Sequence, residues 1–415
     1  MHSLPANPRG GARRLPLLRA CLILALSLPV TGLADSALAR AFALAWQRQP
    51  AAAALGERDR AAQALQQAAS AWTPAPPSLE VSARTDRFNR PRGAQEQELA
   101  LALPLWLPGE QAASRTLAEA EQDSVHRNAD ALRLQLAQSL REAWWGWQAA
   151  RNERALAEER AAAAARLRDD VERRFRAGDL SRADLNAAAG ALAQAEAQAA
   201  EAAGLAAQAA FRLRSLTGEP PPEWSGPEIP EPLPPVPPAT HPQSRALEAR
   251  LQRAEAEVEL ARQQTRANPV LALSTQRDRG ASDEPMAQTW ALSLRLPFGA
   301  GPRQEARIAR ARAEAIELQT EAERLRERLA HEGELAAAQV DLARRQLAAA
   351  EQRAALASEN RGFYDKSFRL GESDLPTRLR IEAEAFEAGR ARVRARIALG
   401  QAISQWRQSL GLLPE

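Results

Sequence analysis

The side chains that most often do chemistry in proteins are few and scattered in this chain. Among its 415 residues there are four histidines and a single cysteine. They are His2, Cys21, His126, His241 and His331. None of them falls in a HExxH zinc motif, and the sequence contains neither a glycine-rich phosphate loop nor a GxSxG nucleophile motif. We therefore predict no enzyme activity, no catalytic residue, no metal site and no bound cofactor.

The N-terminus has the pattern of a secretory signal. Four arginines precede an apolar run at residues 21–28, and the first acidic residue is Asp35. A run of this length suits a signal peptide and is shorter than the roughly 20 residues that span a bilayer, although a membrane anchor remains the alternative. Cleavage is expected after Ala34 or Ala39. We assign the signal peptide to residues 1–34, so the mature chain has no cysteine.

The net charge gives no reason to expect a nucleic-acid partner. The formal charge of +3 includes the four arginines of the signal. Their removal leaves 51 basic residues against 52 acidic ones. Because the charges alternate in sign along helical segments, they predict solvated helix faces.

Two halves of the chain repeat each other at an offset of about 192 residues. Each half has a pair of alternating segments, a very long segment rich in Ala, Glu, Arg and Leu, a Phe-x-x-Gly turn and a second helical segment. The predicted domains are a first repeat at 35–218, a linker at 219–241 and a second repeat at 242–415. Ten of the twenty residues from 219 to 238 are proline, which excludes a helix there.

The coarse secondary structure follows from these patterns. Helices are predicted at 36–72, 110–176, 183–216, 243–264, 303–368 and 375–410, and strands at 79–85, 97–105, 270–277 and 287–296. In the strands, Leu99, Leu101 and Leu103 share one face, as do Trp290 and Leu292. This alternation fits two hairpins on a soluble core, and it fits equally the wall of an outer-membrane barrel. Four strands cannot close a barrel, so the second reading requires an oligomer.

The long helices must pack lengthwise against neighbours. A helix over residues 110–176 would extend about 100 Å. Its apolar residues step by three and four, as in a coiled coil. The positions that share this seam are Leu132, Leu136, Leu140, Ala143, Trp147 and Ala150. An isolated two-helix spacer and the wall of a helical tube both satisfy this pattern.

The ordered set of features resembles the TolC-like outer-membrane efflux proteins. Its more specific parts are the strand-to-helix corner at 103–109, its echo at 296–299 and the two Phe-x-x-Gly turns. The resemblance implies a mainly α fold of two tandem repeats, with coiled-coil helices forming a periplasmic α-barrel. It also implies four β-strands per protomer in a trimeric, 12-stranded outer-membrane barrel.

The same resemblance implies a function in the bacterial outer membrane. The chain would be a channel subunit of a tripartite efflux system, a passive duct for substrates that an inner-membrane pump delivers through a periplasmic adaptor. Its partners would be two further copies of itself, the adaptor, outer-membrane lipid and, indirectly, the pump. The alternative is a periplasmic adaptor or a structural coiled-coil protein of the envelope. The compact length and the expected lack of a lipid-anchor cysteine resemble the outer-membrane components of heavy-metal cation efflux systems, but export of drugs, dyes or proteins fits almost as well.

The resemblance also carries candidate site residues at the periplasmic tip. The expected adaptor contacts are Phe175, Gly178, Asp179, Phe368, Gly371 and Glu372. The candidate aperture residues are Asp184, Asp374, Thr377 and Arg380. Carboxylates that the family places after the second-repeat glycine fall here on Thr377 and Arg380, which departs from an acidic gate. The alternative role for these tip carboxylates is to cap helices.

Overall fold

The computed structural model of the protein describes residues 37–86, 88, 92–222, 241–299 and 301–414. The predicted signal peptide at 1–34 and most of the predicted linker lie outside the described residues. None of the helices in the described ranges combines the length and apolarity of a membrane span.

Seven helices and four strands make up the described part of the chain. In order they are α1 (Ala37–Gln47), α2 (Pro50–Ser70), β1 (Ser78–Thr85), β2 (Gln95–Pro104), α3 (Glu110–Ala177), α4 (Arg182–Thr217), α5 (Pro242–Gln263), β3 (Val270–Arg279), β4 (Ala287–Arg295), α6 (Gly301–Arg369) and α7 (Leu375–Ser409). The predicted mainly α fold is confirmed, and a strand pair, a long helix and a shorter helix follow one another twice.

The first helical segment differs from the prediction. A single helix over residues 36–72 is wrong, because the chain forms α1 and α2 with a break between them. Gln49 has extended backbone angles (φ −74°, ψ 132°), and Pro50 begins α2. A residue before proline is driven away from the helical conformation, and proline itself has no N–H to continue the helix.

The four strands form one antiparallel sheet in the order β1-β2-β3-β4. Its central pairing, β2 with β3, joins the two halves of the chain. One rung runs through Leu79, Leu101, Leu273 and Leu292, and all four leucines are exposed. The sheet therefore carries an apolar face that no other described element covers.

A buried carboxylate fastens the sheet to the start of α3. Glu110 is 2% exposed and accepts hydrogen bonds from the Leu107 N–H at 3.0 Å and the Asn268 side-chain amide at 2.6 Å. The Gln264 amide donates to its other oxygen at 2.9 Å. Because Gln264 and Asn268 lie between α5 and β3, this carboxylate links the β2-to-α3 corner to the α5-to-β3 connection of the second half.

Helix α3 buries more than the predicted seam. Leu136, Leu140 and Trp147 of the seam are buried, but so are Leu134 and Trp144, which lie off it. The two indoles meet edge to face, with ring centroids 5.3 Å apart. Helix α3 contacts α2, α4, α5 and α7, so it needs apolar residues on several sides rather than on one.

Helix α7 lies against α3 at a close junction. The Trp145 indole N–H donates to the Ser404 hydroxyl at 2.8 Å, and a Cβ added to Gly400 would lie 2.3 Å from the indole ring. The Gln408 amide donates to the Leu134 carbonyl at 2.9 Å. These contacts fix how the second half of the chain lies on the first.

Candidate functional site

The candidate site consists of the two turns that follow the long helices, residues 175–184 and 368–380, which we call the tip. Each turn ends its helix in the same way. The Gly178 N–H donates to the Phe175 carbonyl at 3.0 Å, and the Asp179 N–H donates to the Arg174 carbonyl at 2.9 Å. The second turn repeats this pattern from Gly371 and Glu372. This is the Schellman arrangement, and it needs a left-handed residue.

Glycine meets that requirement in both turns. The φ angles are 89° at Gly178 and 79° at Gly371. A Cβ added at either position would meet no atom within 4 Å. The backbone conformation, and not lack of space, therefore accounts for the glycines. The predicted turn positions of both glycines are confirmed.

Capping residues start the two returning helices. In α4, Ser181 and Asp184 form a reciprocal capping box: the Asp184 N–H donates to the Ser181 hydroxyl at 3.1 Å, and the Ser181 N–H donates to the Asp184 carboxylate at 2.9 Å. In α7, Asp374 is the N-cap and accepts the Thr377 N–H at 3.0 Å. The acid thus occupies the third helical position in one turn and the cap position in the other.

These hydrogen bonds lower the pKa values of both carboxyl groups. The Ser181 hydroxyl and then its N–H hold the pKa of Asp184 below its ordinary value of 3.8, while the nearby charge of Asp374 partly opposes this. Hydrogen bonds from the Thr377 side chain and N–H lower the pKa of Asp374. Both acids are therefore ionised at neutral pH, and the two turns lie close enough for their charges to interact.

The candidate aperture residues thus have local roles in the described structure. Asp184 and Asp374 cap helices, and Thr377 supplies the capped N–H. Arg380 is exposed and pairs with Glu384 at 2.8 Å, one turn along α7. An assignment of these residues to an aperture remains a prediction.

The two turns share an apolar cluster, and Phe368 is its aromatic member. Phe368 is 2% exposed. It packs with Leu167 and Val171 of α3 and with Leu375 of α7. Ala188 and the partly buried Leu180, Leu185 and Leu379 complete the cluster. The described structure therefore brings Phe368 onto the first helical hairpin.

Two arginines stack on the Phe368 ring. The Arg174 and Arg378 guanidinium carbons lie 4.9 Å and 4.7 Å from its centroid. Arg174 also donates to the Phe368 carbonyl at 3.3 Å, and Arg378 pairs with Asp365 at 2.7 Å. Sequence reasoning missed these two arginines, because nothing in their spacing distinguishes them from the many other arginines of the chain.

Phe175, by contrast, stays accessible. Its ring is half-buried, with the Arg182 guanidinium 5.9 Å from the centroid. Leu370 is 74% exposed, and Asp179 and Glu372 are exposed beside the two glycines. Among the described residues, no group of three or more His, Cys, Asp or Glu side chains is arranged to hold a metal ion.

Solved structures share this fold at low sequence identity. The outer membrane protein VceC of Vibrio cholerae is 18% identical, with a TM-score of 0.74 over 92% of this chain and 97% of that one. The CmeC outer membrane channel of Campylobacter jejuni is 14% identical, with a TM-score of 0.73 over 91% and 86%. The MtrE outer membrane channel of Neisseria gonorrhoeae, in its open state, is 18% identical, with a TM-score of 0.72 over 91% and 89%.

The fold of the described residues is thus one that solved outer-membrane channels share. Residues 35–219 match the family model of the outer membrane efflux proteins. The predicted resemblance to the TolC-like efflux proteins is confirmed, since this part of the chain matches the family model and the described residues share the fold of the solved channels. No curated protein matches the sequence.

Proposed function

We propose that the chain is one protomer of a trimeric channel in a tripartite efflux system. Three copies would pool their strands into a 12-stranded barrel in the outer membrane, and α3, α4, α6 and α7 would form the wall of a periplasmic duct. The duct is passive, and an inner-membrane pump supplies substrate through an adaptor. The two tandem repeats at 35–218 and 242–415 each contribute two strands and one hairpin of long helices to this assembly.

The observation that carries the proposal is that both edge strands of the sheet are unpaired on their outer side within the described residues. Strand β1 pairs only with β2, and β4 pairs only with β3, so both edges offer unpaired backbone groups within the described part of the chain. Open edges are not tolerated in a bilayer, and an exposed apolar face is costly in water. Pooling strands between copies would satisfy the edges, and lipid would cover the leucine face.

The tip supports the adaptor part of the proposal. It lies about 100 Å from the sheet along α3, which is the reach of a periplasmic extension. Gly178 and Gly371 shape its two turns, and Phe175, Asp179 and Glu372 are accessible there. We propose these residues as the adaptor contact. Phe368 would stabilise the second turn from its buried position in the shared apolar cluster. Asp184 and Asp374 would face the aperture from their capping positions.

The first experiment is the mass of the mature protein extracted from outer-membrane fractions, corrected for bound detergent. A trimeric mass is the expected result. A monomer released without detergent would contradict the channel and favour a periplasmic coiled-coil protein.

A matched pair of substitutions tests which face of the sheet meets lipid. Leu292 and Ser293 are neighbours in β4, are both exposed and point to opposite faces. Leu292→Arg should abolish outer-membrane insertion, because an arginine facing lipid costs about 2–4 kcal/mol in each protomer at mid-bilayer. Ser293→Arg should insert normally and change single-channel conductance instead. Equal insertion of both variants would contradict the assignment of faces.

A further inference from the structure

Each half of the chain contains a joint, where the end of one shorter helix contacts the start of another. In the first joint α4 ends at Gly218 and α2 begins at Pro50, and in the second α7 ends two residues before Gly411 and α5 begins at Pro242. Both glycines have left-handed φ angles, 84° and 75°. A Cβ on Gly218 would lie 2.5 Å from the Arg48 guanidinium, and one on Gly411 would lie 2.5 Å from the Pro242 ring. The two joints are therefore built alike and packed closely.

The residue before the proline distinguishes the two joints. It is Gln49 in the first joint and His241 in the second, at the offset of about 192 residues that relates the two halves. The Gln49 side chain makes no hydrogen bond that caps α2. His241 does cap α5, because its Nδ1 atom accepts the Gln243 N–H at 3.3 Å. The second joint thus depends on a side chain that can take up a proton near neutral pH.

The His241 imidazole is enclosed in the second joint. It is 2% exposed, and a Cβ on Gly411 would lie 2.9 Å from the ring. Burial lowers the pKa of His241 below its ordinary value of 6.5, the hydrogen bond with the Gln408 backbone opposes this, and the charge of Arg245 adds to it. The imidazole is therefore neutral at neutral pH, which leaves its Nδ1 atom free to accept the Gln243 N–H.

The charges around the imidazole are positive on balance. Arg245 lies one turn into α5 and acts on the imidazole directly, and Arg407 belongs to the last turn of α7. Glu248, the first acidic residue of α5, already pairs with Arg326 at 2.9 Å. From α3 and α6, the cavity beside His241 receives two arginines and two glutamates, whose charges cancel: Arg141, Glu142, Arg328 and Glu332. A proton on His241 would add to this positive charge, at the positive end of the α5 dipole.

The second joint also holds the C-terminal segment, residues 410–414. Arg141 of α3 donates to the Leu412 carbonyl at 2.9 Å and to the Gln408 side chain. Helix α3 runs unbroken past this level, whereas α7 ends and α5 begins here. Hinges form at the ends of elements, where a few residues absorb a change in backbone angles. The second joint is thus a place where this column of helices can bend while α3 stays continuous.

We infer that His241 makes the second joint a pH-sensitive hinge. Protonation of Nδ1 replaces an acceptor by an N–H that points at the Gln243 N–H, so the cap of α5 is lost. The cationic ring then moves out of its enclosed position, and the start of α5 and the C-terminal segment are released. The first joint, capped by no titratable side chain, stays closed. The inference goes beyond the proposed channel function and does not require it, because every contact lies within one chain.

Hydrogen exchange of the full-length protein in detergent tests the hinge. Exchange is measured at about pH 7.5 and pH 5, on either side of the ordinary histidine pKa, and is corrected for its intrinsic pH dependence. Residues 243–247 and 408–414 should open about five- to tenfold more at the lower pH, which is the size of one lost cap. Residues 51–55 and 214–218 of the first joint should change by less than twofold.

Two substitutions separate the proton from the cap. His241→Asn keeps a good cap residue that cannot titrate, so the second joint should stay closed at both pH values. His241→Gln gives the second joint the residue of the first, so it should open somewhat more at pH 7.5 and lose its pH response. The control is His331→Gln, an exposed histidine of α6 outside the joint, which should keep the response of the unchanged protein.

Two outcomes would overturn the inference. The pH response could persist in both His241 variants, which would assign it to another group, or the two joints could respond equally in the unchanged protein. A monomeric mass would contradict the proposed channel and leave this test intact, so the two failures are distinguishable.

Discussion

The first and second turns of the tip are built from the same local parts but have different surroundings. Each turn follows a helix of nearly seventy residues and has a glycine in the left-handed conformation. Near the end of each helix, an acidic residue pairs with the arginine four positions later: Glu172 with Arg176, and Asp365 with Arg369. Yet Phe368 is buried and Phe175 is only half-buried. The same Phe-x-x-Gly motif therefore places its phenylalanine in two different environments.

The difference arises from the residues that follow each glycine. Four positions on, the first turn has Arg182 and the second has Leu375; seven positions on, they have Leu185 and Arg378. Leu375 is fully buried in the same cluster as Phe368, and the Arg378 guanidinium carbon lies 4.7 Å from the centroid of the Phe368 ring. In the first turn, Arg182 stands over Phe175 and leaves it accessible. The second turn is thus anchored to the first hairpin, and the first turn offers an aromatic side chain to a partner.

The largest difference in local stability between the two turns should appear when each phenylalanine is replaced separately by alanine. Phe368→Ala leaves a cavity in the shared cluster and should destabilise the tip locally by about 3–5 kcal/mol. Phe175→Ala removes a half-buried ring that lies outside the shared cluster and should cost about 1 kcal/mol or less. Hydrogen exchange of the amides in both turns measures the local opening. Comparable exchange rates in the two variants would remove the proposed asymmetry.

Replacing the glycine of either turn by alanine should lower local stability by similar amounts, unlike the two phenylalanine replacements. Gly178→Ala and Gly371→Ala each place a Cβ in a left-handed conformation, and each should cost about 1–2 kcal/mol in local stability. No neighbouring atom would be displaced in either case. Gly333→Ala, in the middle of α6 and also with open space around it, is the control and should be neutral or stabilising. A large difference between the two turn variants would mean that tertiary packing, and not φ, fixes one of the turns.

The smallest effect should be the pH dependence of the helix caps. The pKa values of Asp184 and Asp374 are lowered by folding, so their stabilisation is complete above their ordinary pKa of 3.8 and is lost as the pH falls through the lowered values. Local exchange, corrected for its intrinsic pH dependence, should therefore show more opening of both turns at about pH 3 than at pH 6. Asp374→Asn keeps a good cap residue and should remove the pH response of the second turn alone. An unchanged response in that variant would assign the titration to another group.

The long elements of this fold could be predicted closely from the sequence. The predicted helix at 110–176 is observed as Glu110–Ala177, and that at 375–410 as Leu375–Ser409. Glycine at the end of a helix, capping residues at the next start and period-two strands are local signals, and they do not depend on distant contacts. The periodic pattern predicted one helix over residues 36–72, because the alanine-rich sequence on both sides of Pro50 outweighed a single proline, whereas the resemblance to the TolC-like proteins implied that a first helix ends at Gln49-Pro50, as observed.

The sequence by itself determined where the chain turns, which residues cap its helices and which strand face is apolar, because these properties are fixed by backbone conformation and side-chain periodicity over a few residues. Only the tertiary structure decided that β2 pairs with β3, that Phe368 is enclosed while Phe175 is not, and that His241 is enclosed where α5 meets the end of α7. Each of these depends on contacts between residues far apart in the chain, such as Arg174 with Phe368. Many pairings of such residues are compatible with the same local pattern, and only packing selects among them.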